Sequence, residues 1–267
     1  MKIEKRTFIV SGGSSGLGLA TVRSLLVGGA YVSVLDLSAP PEDARVSPRV
    51  RFFSTDITDA DAIEAAVEGS AAWTQESGAP LAGVINCAGV GIAAKLISVD
   101  KTGARPPEPH SLDVWKFALN VNLTGTFNLT RLALKHLVRV APEEGEDGER
   151  GVIVMVASAA AFEGQPGQTA YSATKGALAA MTLPMARDLS RYGVRVATIA
   201  PGVFASSMTD AMNAKTQRSL RTEGIVYPQR FGKPDEFAQT VRWILECPYV
   251  NGETIRLSGA GRLPARL

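Results

Sequence analysis

Thr7-Phe-Ile-Val-Ser-Gly-Gly-Ser-Ser-Gly-Leu-Gly18 is the stretch that decides the fold. Thr7–Val10 is β-branched and apolar, the composition of a short strand. A helical pattern opens at the end of the glycines and runs to about Val27. Strand, glycine loop and helix in that order form the context in which a glycine cluster binds phosphate. Glycine lets the backbone approach a pyrophosphate, and the start of a helix offers unpaired N–H groups and a positive dipole end. The spacing is Gly12-x3-Gly16-x-Gly18, which differs from G-x-G-x-x-G. Ser11, Gly12, Ser14, Ser15, Gly16, Leu17 and Gly18 are therefore candidate dinucleotide contacts.

Outward from that loop the pattern repeats. Tyr31–Leu35 reads as a second strand and ends at Asp36. A carboxylate about 20 residues past the glycines accepts the ribose hydroxyl hydrogens of adenosine. It repels a 2′-phosphate, and the glycine loop carries no lysine or arginine to attract one, so the expected cofactor is NAD rather than NADP. The alternative for Asp36 is an ordinary turn residue. Val50–Ser54 is a third strand, followed by Asp56-Ile57 where an adenine ring would lie; Asp59–Glu76 has helical periodicity. Gly83–Ile85 is a fourth strand, ending in Asn86-Cys87-Ala88-Gly89, small residues that let the backbone lie against a ligand. Cys87 reads as a packed apolar group, not a nucleophile, because no histidine lies near it in sequence. Gly151–Ala157, Arg195–Ala200 and Glu253–Leu257 complete the strands, and Pro234–Glu246 is an amphipathic helix. Strand–helix alternation throughout predicts an α/β fold: one Rossmann-type, doubly wound parallel sheet of about seven strands with helices on both faces, a single domain over residues 1–267.

The 267 residues carry a net charge of +2 with no basic stripe, which argues against nucleic acid as a primary partner. No run is long and apolar enough to cross a membrane. Two cysteines, Cys87 and Cys247, make neither a metal cluster nor a disulfide framework, so no metal is expected and a reducing compartment is. The strand begins too close to Met1 to leave room for a secretory signal. Ala265-Arg266-Leu267 resembles the small-basic-Leu peroxisomal address, which implies a peroxisome in a eukaryote and nothing in a bacterium, where cytoplasm is expected.

The chemistry concentrates in Ser158–Lys175. Tyr171 and Lys175 stand four apart in an alanine-rich helical segment, on one face. A neighbouring ammonium is expected to lower the phenol's pKa, and such a tyrosine exchanges a proton with an alcohol or carbonyl. Ser158 lies just past a buried strand's carboxyl end, where open α/β sheets bind ligands. Leu112–Val140 reads as one long helix, in which Asn122 is an anomaly that can open the helix and hold a water. Val90–Ser111 reads as a long irregular loop whose basic residues could meet an anionic substrate tail. Pro142–Arg150 reads as a solvated excursion, and Val203–Gly224 as a helical lid.

Gly12-x3-Gly16-x-Gly18, Asn86-Cys-Ala-Gly89, Asn122, Ser158, Tyr171-x3-Lys175 and Pro201-Gly202 together resemble the motifs of the short-chain dehydrogenase/reductase family, in order and spacing and over nearly the whole chain. Cys87 departs from that family's commoner asparagine. Asn120–Asn128, Ala161-Phe-Glu-Gly-Gln165, Met181–Asp188, Thr198–Gly202 and Asn251–Leu257 are similar, more narrowly, to the type II 3-hydroxyacyl-CoA dehydrogenases. The resemblance implies an NAD-dependent oxidation of a secondary alcohol, most closely a (3S)-3-hydroxyacyl-CoA. Its alternatives are a steroid or alcohol dehydrogenase and a 3-oxoacyl-carrier-protein reductase, and, outside enzymes, an NAD-binding structural subunit. It implies that Tyr171 is the acid/base, that Ser158 holds the carbonyl oxygen, that Lys175 bonds the nicotinamide ribose and that Asn122 anchors a relay water. It places Val203, Phe204 and Ser206, after Pro201-Gly202, against the nicotinamide end, with Ser206 where the family often has threonine. Ala205 and Ser207 depart from the subfamily there, which leaves lid shape open. It further implies a homotetramer, with a mitochondrion as the alternative compartment.

Overall fold

The computed structural model describes residues 1–100, 102–206, 209, 217, 218, 220 and 224–262. Most of the expected lid, Val203–Gly224, and the tripeptide Ala265–Leu267 lie outside the described residues. In the first half β1 (Thr7–Ser11), α1 (Gly16–Val27), β2 (Tyr31–Asp36), the single turn α2 (Glu42–Arg45), β3 (Val50–Ser54), α3 (Ala60–Ser77) and β4 (Leu81–Asn86) alternate. The second half runs through β5 (Ile97–Ser98), β6 (Glu108–Pro109), α4 (Leu112–Leu119), a π-helical turn (Asn120–Gly125), α5 (Thr126–Leu137), β7 (Gly151–Val156), α6 (Ala160–Glu163), α7 (Thr169–Leu189), β8 (Val194–Pro201), α8 (Pro234–Glu246) and β9 (Thr254–Leu257).

Seven strands form one parallel sheet in the order β3-β2-β1-β4-β7-β8-β9. Side chains alternate across a strand, so a strand apolar at every position needs cover on both faces. β1 shows it: Phe8 and Val10 pack with α1 and α8 residues such as Val22, Phe237, Val241 and Ile244. Ile9, between them, packs on the other face with Ile63 and Val67 of α3, Leu129 and Leu132 of α5 and Leu178 of α7. The order reverses between β1 and β4, and the crevice at the carboxyl ends of those two strands is where such sheets bind ligands.

Three segments differ from expectation. The expected single helix is split: α4 and α5 are separated by the π-turn that holds Asn122. Val90–Ser111 contains a two-stranded antiparallel hairpin, with Ile97 opposite Pro109 and Ser98 opposite Glu108. Its Arg105 turns to Asp100 at 3.7 Å, while Lys95 is exposed. Pro142–Arg150 is not bland. Glu149 is buried and pairs with Arg195 at 2.6 Å, and Arg195 also donates to the carbonyls of Ile244, Leu245 and Val250, which closes the end of α8. Glu143 pairs with Arg6 at 3.0 Å. Charge pairing across the chain, invisible to a local reading, fixes this excursion.

Candidate active site

The glycine loop is shaped by close approach. Gly12 has φ +63°, and a Cβ there would stand 2.8 Å from the backbone N and Cα of Ala88. The turns after β1 and β4 therefore touch, and only glycine fits between them. Cys87 N donates to Ser11 O at 3.1 Å and Ala88 N to Ser11 Oγ at 3.2 Å. Asp36 ends β2 beside the loop: Ser14 N donates to its Oδ2 at 3.0 Å and Ser38 N to its Oδ1 at 3.4 Å. Each carboxylate oxygen keeps lone-pair capacity for a further donor. Ser14 Oγ is buried with no partner among the described residues.

These groups open on a cleft of about 690 Å³. Gly12, Ser15, Gly16, Leu17, Gly18 and Asp36 line one end, with Asp56 and Ile57; Cys87, Ala88 and Gly89 form the middle; Ser158, Tyr171, Lys175, Pro201, Gly202, Val203, Phe204 and Ser206 line the other. Ser11, Ser14, Asn86 and Asn122 do not line it. Ser11, Asn86 and Asn122 are buried behind the wall, where their side chains hydrogen-bond Ala88 N, Thr130 Oγ1 and Val90 N respectively. The sequence reading missed Thr55, Val121, Ile92, Gln165 and Gln168, which also face the cleft. None carries a motif; only Val121 and Gln165 stood inside quoted stretches. A smaller cavity of about 420 Å³ behind Phe204, lined by Arg230, Glu236 and Trp243, holds none of the chemical groups above.

At the chemical end, Ser158 follows β7, and its Oγ accepts from Ala160 N at 3.1 Å while hydrogen-bonding the Tyr171 hydroxyl. Burial raises the Tyr171 pKa, and the bond to Ser158 opposes that rise. This corrects the expectation that Lys175 lowers it. Lys175 Nζ donates to Val156 O at 2.8 Å and lies over the Tyr171 ring at 5.7 Å from its centre. Burial pushes the Lys175 ammonium itself down to about 8, since a charge shut away from water is disfavoured. The Cys87 thiol is pushed up to about 12 by burial, so it stays protonated and is no nucleophile.

The Asn122 side chain bonds protein on both sides. Its Oδ1 accepts from Val90 N at 2.8 Å, and its Nδ2 donates to Val90 O at 3.0 Å and Thr174 Oγ1 at 3.2 Å. Both amide hydrogens are used, and the residue ties the loop after β4 to α7. The π-turn also approaches the Asp56-Ile57 corner: a Cβ on Gly125 would lie 2.5 Å from Ile57 O.

The cleft suits a dinucleotide. One end has a glycine loop whose Gly12 and Gly18 leave no room for a Cβ, and a carboxylate with free lone pairs. The other has a protonated phenol paired with a serine and a buried lysine. Such a fold and site define an oxidoreductase that transfers hydride to or from a nicotinamide. Residues 6–217 match the family model described as short chain dehydrogenase, and the chain belongs to that family. Its cofactor is NAD. It is 41% identical to 3-hydroxyacyl-CoA dehydrogenase type-2 of Drosophila melanogaster, over 98% of this chain and 99% of that one. It is 39% identical to the Homo sapiens protein of the same description, over 96% of this chain and 94% of that one. The crystal structure of 3-hydroxyacyl-CoA dehydrogenase type-2 from Mycobacterium avium superposes with a TM-score of 0.84 at 35% identity and 100% coverage of both chains.

Proposed function

We propose that this protein interconverts (3S)-3-hydroxyacyl-CoA and 3-oxoacyl-CoA with NAD. The observation that carries the reading is similarity at 41% identity, over nearly the full length of both chains, to a 3-hydroxyacyl-CoA dehydrogenase type-2, joined to a cleft that has the chemical groups at one end and Asp36 at the other. The glycine loop, Asp36, Asp56 and Ile57 hold the adenosine half; Lys175 and the Pro201–Ser206 turn hold the nicotinamide half. When bound, the nicotinamide supplies the hydride acceptor. In reduction the protonated Tyr171 Oη donates its proton to the carbonyl oxygen as hydride reaches C3; in oxidation it is the phenolate, left once that proton has gone to solvent, that takes the substrate hydroxyl proton. Ser158 Oγ donates to that oxygen as charge develops on it. Asn122 keeps the loop after β4 against α7, so that Tyr171 and the cleft wall stay in register.

Reduction of acetoacetyl-CoA by NADH, run beside a carrier-protein thioester and a steroid ketone, tests the reading. The CoA thioester is expected to have the highest kcat/KM, and a steroid preferred by tenfold would overturn it. A carrier-protein reductase that runs on NADPH is disfavoured by Asp36, whose charge repels the 2′-phosphate. The protein is also proposed to be a homotetramer. Exposed apolar side chains on two sets of elements support this: Phe127 and Leu183 on α5 and α7, and Trp243 and Tyr249 near the free edge at β9.

A further inference from the structure

Gln168 stands at the start of α7, three residues before Tyr171, and lines the cleft. Its side-chain amide is oriented by chemistry as well as by position. Gln165 N–H donates to one of its terminal atoms at 2.9 Å, and only the carbonyl oxygen of an amide accepts. Oε1 therefore points to the protein, and Nε2 is left with two hydrogens. No group among the described residues takes either of them. The turn beneath is firm: Gln168 N donates to Gln165 O at 3.0 Å, Ser172 N to Gln168 O at 2.6 Å, and Ala94 N reaches across to Gly167 O at 2.8 Å. The cleft lining includes the apolar Ile92, Ala93, Ala159 and Ala160 beside Gln165 and Tyr171, and Ala93 lies against the adjoining Gly167.

A donor held at the reacting end of an apolar wall calls for an acceptor on the substrate. Oxidation of a plain secondary alcohol supplies none beyond the oxygen already met by Ser158 and Tyr171. A 3-hydroxyacyl thioester supplies one, its C1 carbonyl, separated from the reacting C3 by a single methylene. We infer that Gln168 is a specificity-determining residue whose Nε2–H donates to the thioester carbonyl, so that the site selects β-oxygenated thioesters over other secondary alcohols. This rests on the acyl-CoA reading above and adds the atom that enforces it. A site built to hydrogen-bond a substrate group discriminates against the analogue that lacks it, because its own donor is then left unpaired.

The test uses two substrates with NADH: acetoacetyl-CoA, and S-(3-oxobutyl)-CoA, in which a methylene replaces the C1 carbonyl. Gln168→Glu keeps an acceptor for Gln165 N–H but removes both donors. Gln168→Met removes donors and acceptor without adding charge, and stands in if the first fails to fold. The ratio of kcat/KM, thioester over thioether, is expected to fall about fivefold to tenfold in both variants relative to wild type, the scale of one neutral hydrogen bond. A merely structural residue would lower both substrates together and leave the ratio unchanged, which overturns the inference. Wild-type enzyme that turns over neither CoA compound but does reduce another ketone sinks the acyl-CoA reading instead, and the inference goes with it.

Discussion

Burial pushes the Tyr171 phenol above its ordinary ionisation range, and the hydrogen bond from Ser158 opposes the rise. Before cofactor binds, Tyr171 is a proton donor at neutral pH. Tyr171→Phe keeps the ring and deletes that donor, so kcat should fall by about 10²-fold or more while NAD affinity changes little; steady-state rates and a cofactor titration check both. Lys175 gives a second expectation. Its pKa of about 8 lies below the ordinary 10.5, so the fold disfavours its charged form. Below pH 8 the lysine is charged in both states and the cost is full; between 8 and 10.5 the folded state sheds the proton and the cost disappears. Wild type should therefore gain on the order of 3 kcal/mol on Lys175→Met between pH 7 and pH 10.5. Denaturant melts of both proteins at the two pH values measure it, and a constant difference would refute it. The residue types and their spacing were legible in the sequence. The sign of the electrostatics was not, because the four-residue spacing brings the lysine near while the burial that outweighs it comes from strands and loops far along the chain.

Elements place these groups, and strand ends were the easiest of them to read. β2 is buried through Val32–Leu35 and ends at the half-buried Asp36, and the neighbouring loop supplies Ser14 N–H to orient it. Asp36→Ala removes a charged acceptor and its repulsion, and should narrow the NADH to NADPH preference in kcat/KM by about tenfold or more. Equal use of both cofactors by wild type would contradict the role. The π-turn was half legible: Asn122 marked a helix in difficulty, but its partners, Val90 and Thr174, lie 32 and 52 residues away. Gly125 in that turn was silent, since its reason is a contact with Ile57. Gly125→Ala would put a methyl 2.5 Å from Ile57 O and 2.8 Å from Ile57 Cγ1, forcing the two turns apart. Overpacking of this kind costs about 1–3 kcal/mol. Because Ile57 lines the adenosine end, KM for NAD should rise more than kcat falls. Thermal melts and steady-state kinetics test it; an unchanged KM would show that the two turns are uncoupled.

The whole molecule carries large apolar side chains on its outside. Among the described residues β9 pairs only with β8 and leaves the sheet an edge, with Trp243 half-exposed and Tyr249 98% exposed nearby in the chain. On the other face of the sheet, Phe127 and Leu183 are 49% and 45% exposed on α5 and α7. Two patches on different elements, each closing on its own copy about a two-fold axis, generate D2 symmetry and four chains. Light scattering at micromolar concentration should then give four times the 28.1 kDa chain mass. Phe127→Glu with Leu183→Glu should halve that mass, because a carboxylate buried in one contact without a partner is strongly disfavoured. Trp243→Glu with Tyr249→Glu should halve it through the other contact. If these side chains instead face water, each exchange costs within about 0.5 kcal/mol and leaves the mass unchanged. A wild-type monomer, or a mass indifferent to both pairs of substitutions, would refute the assembly. Dimers from both variants, with far-ultraviolet circular dichroism retained, would place one interface on each patch.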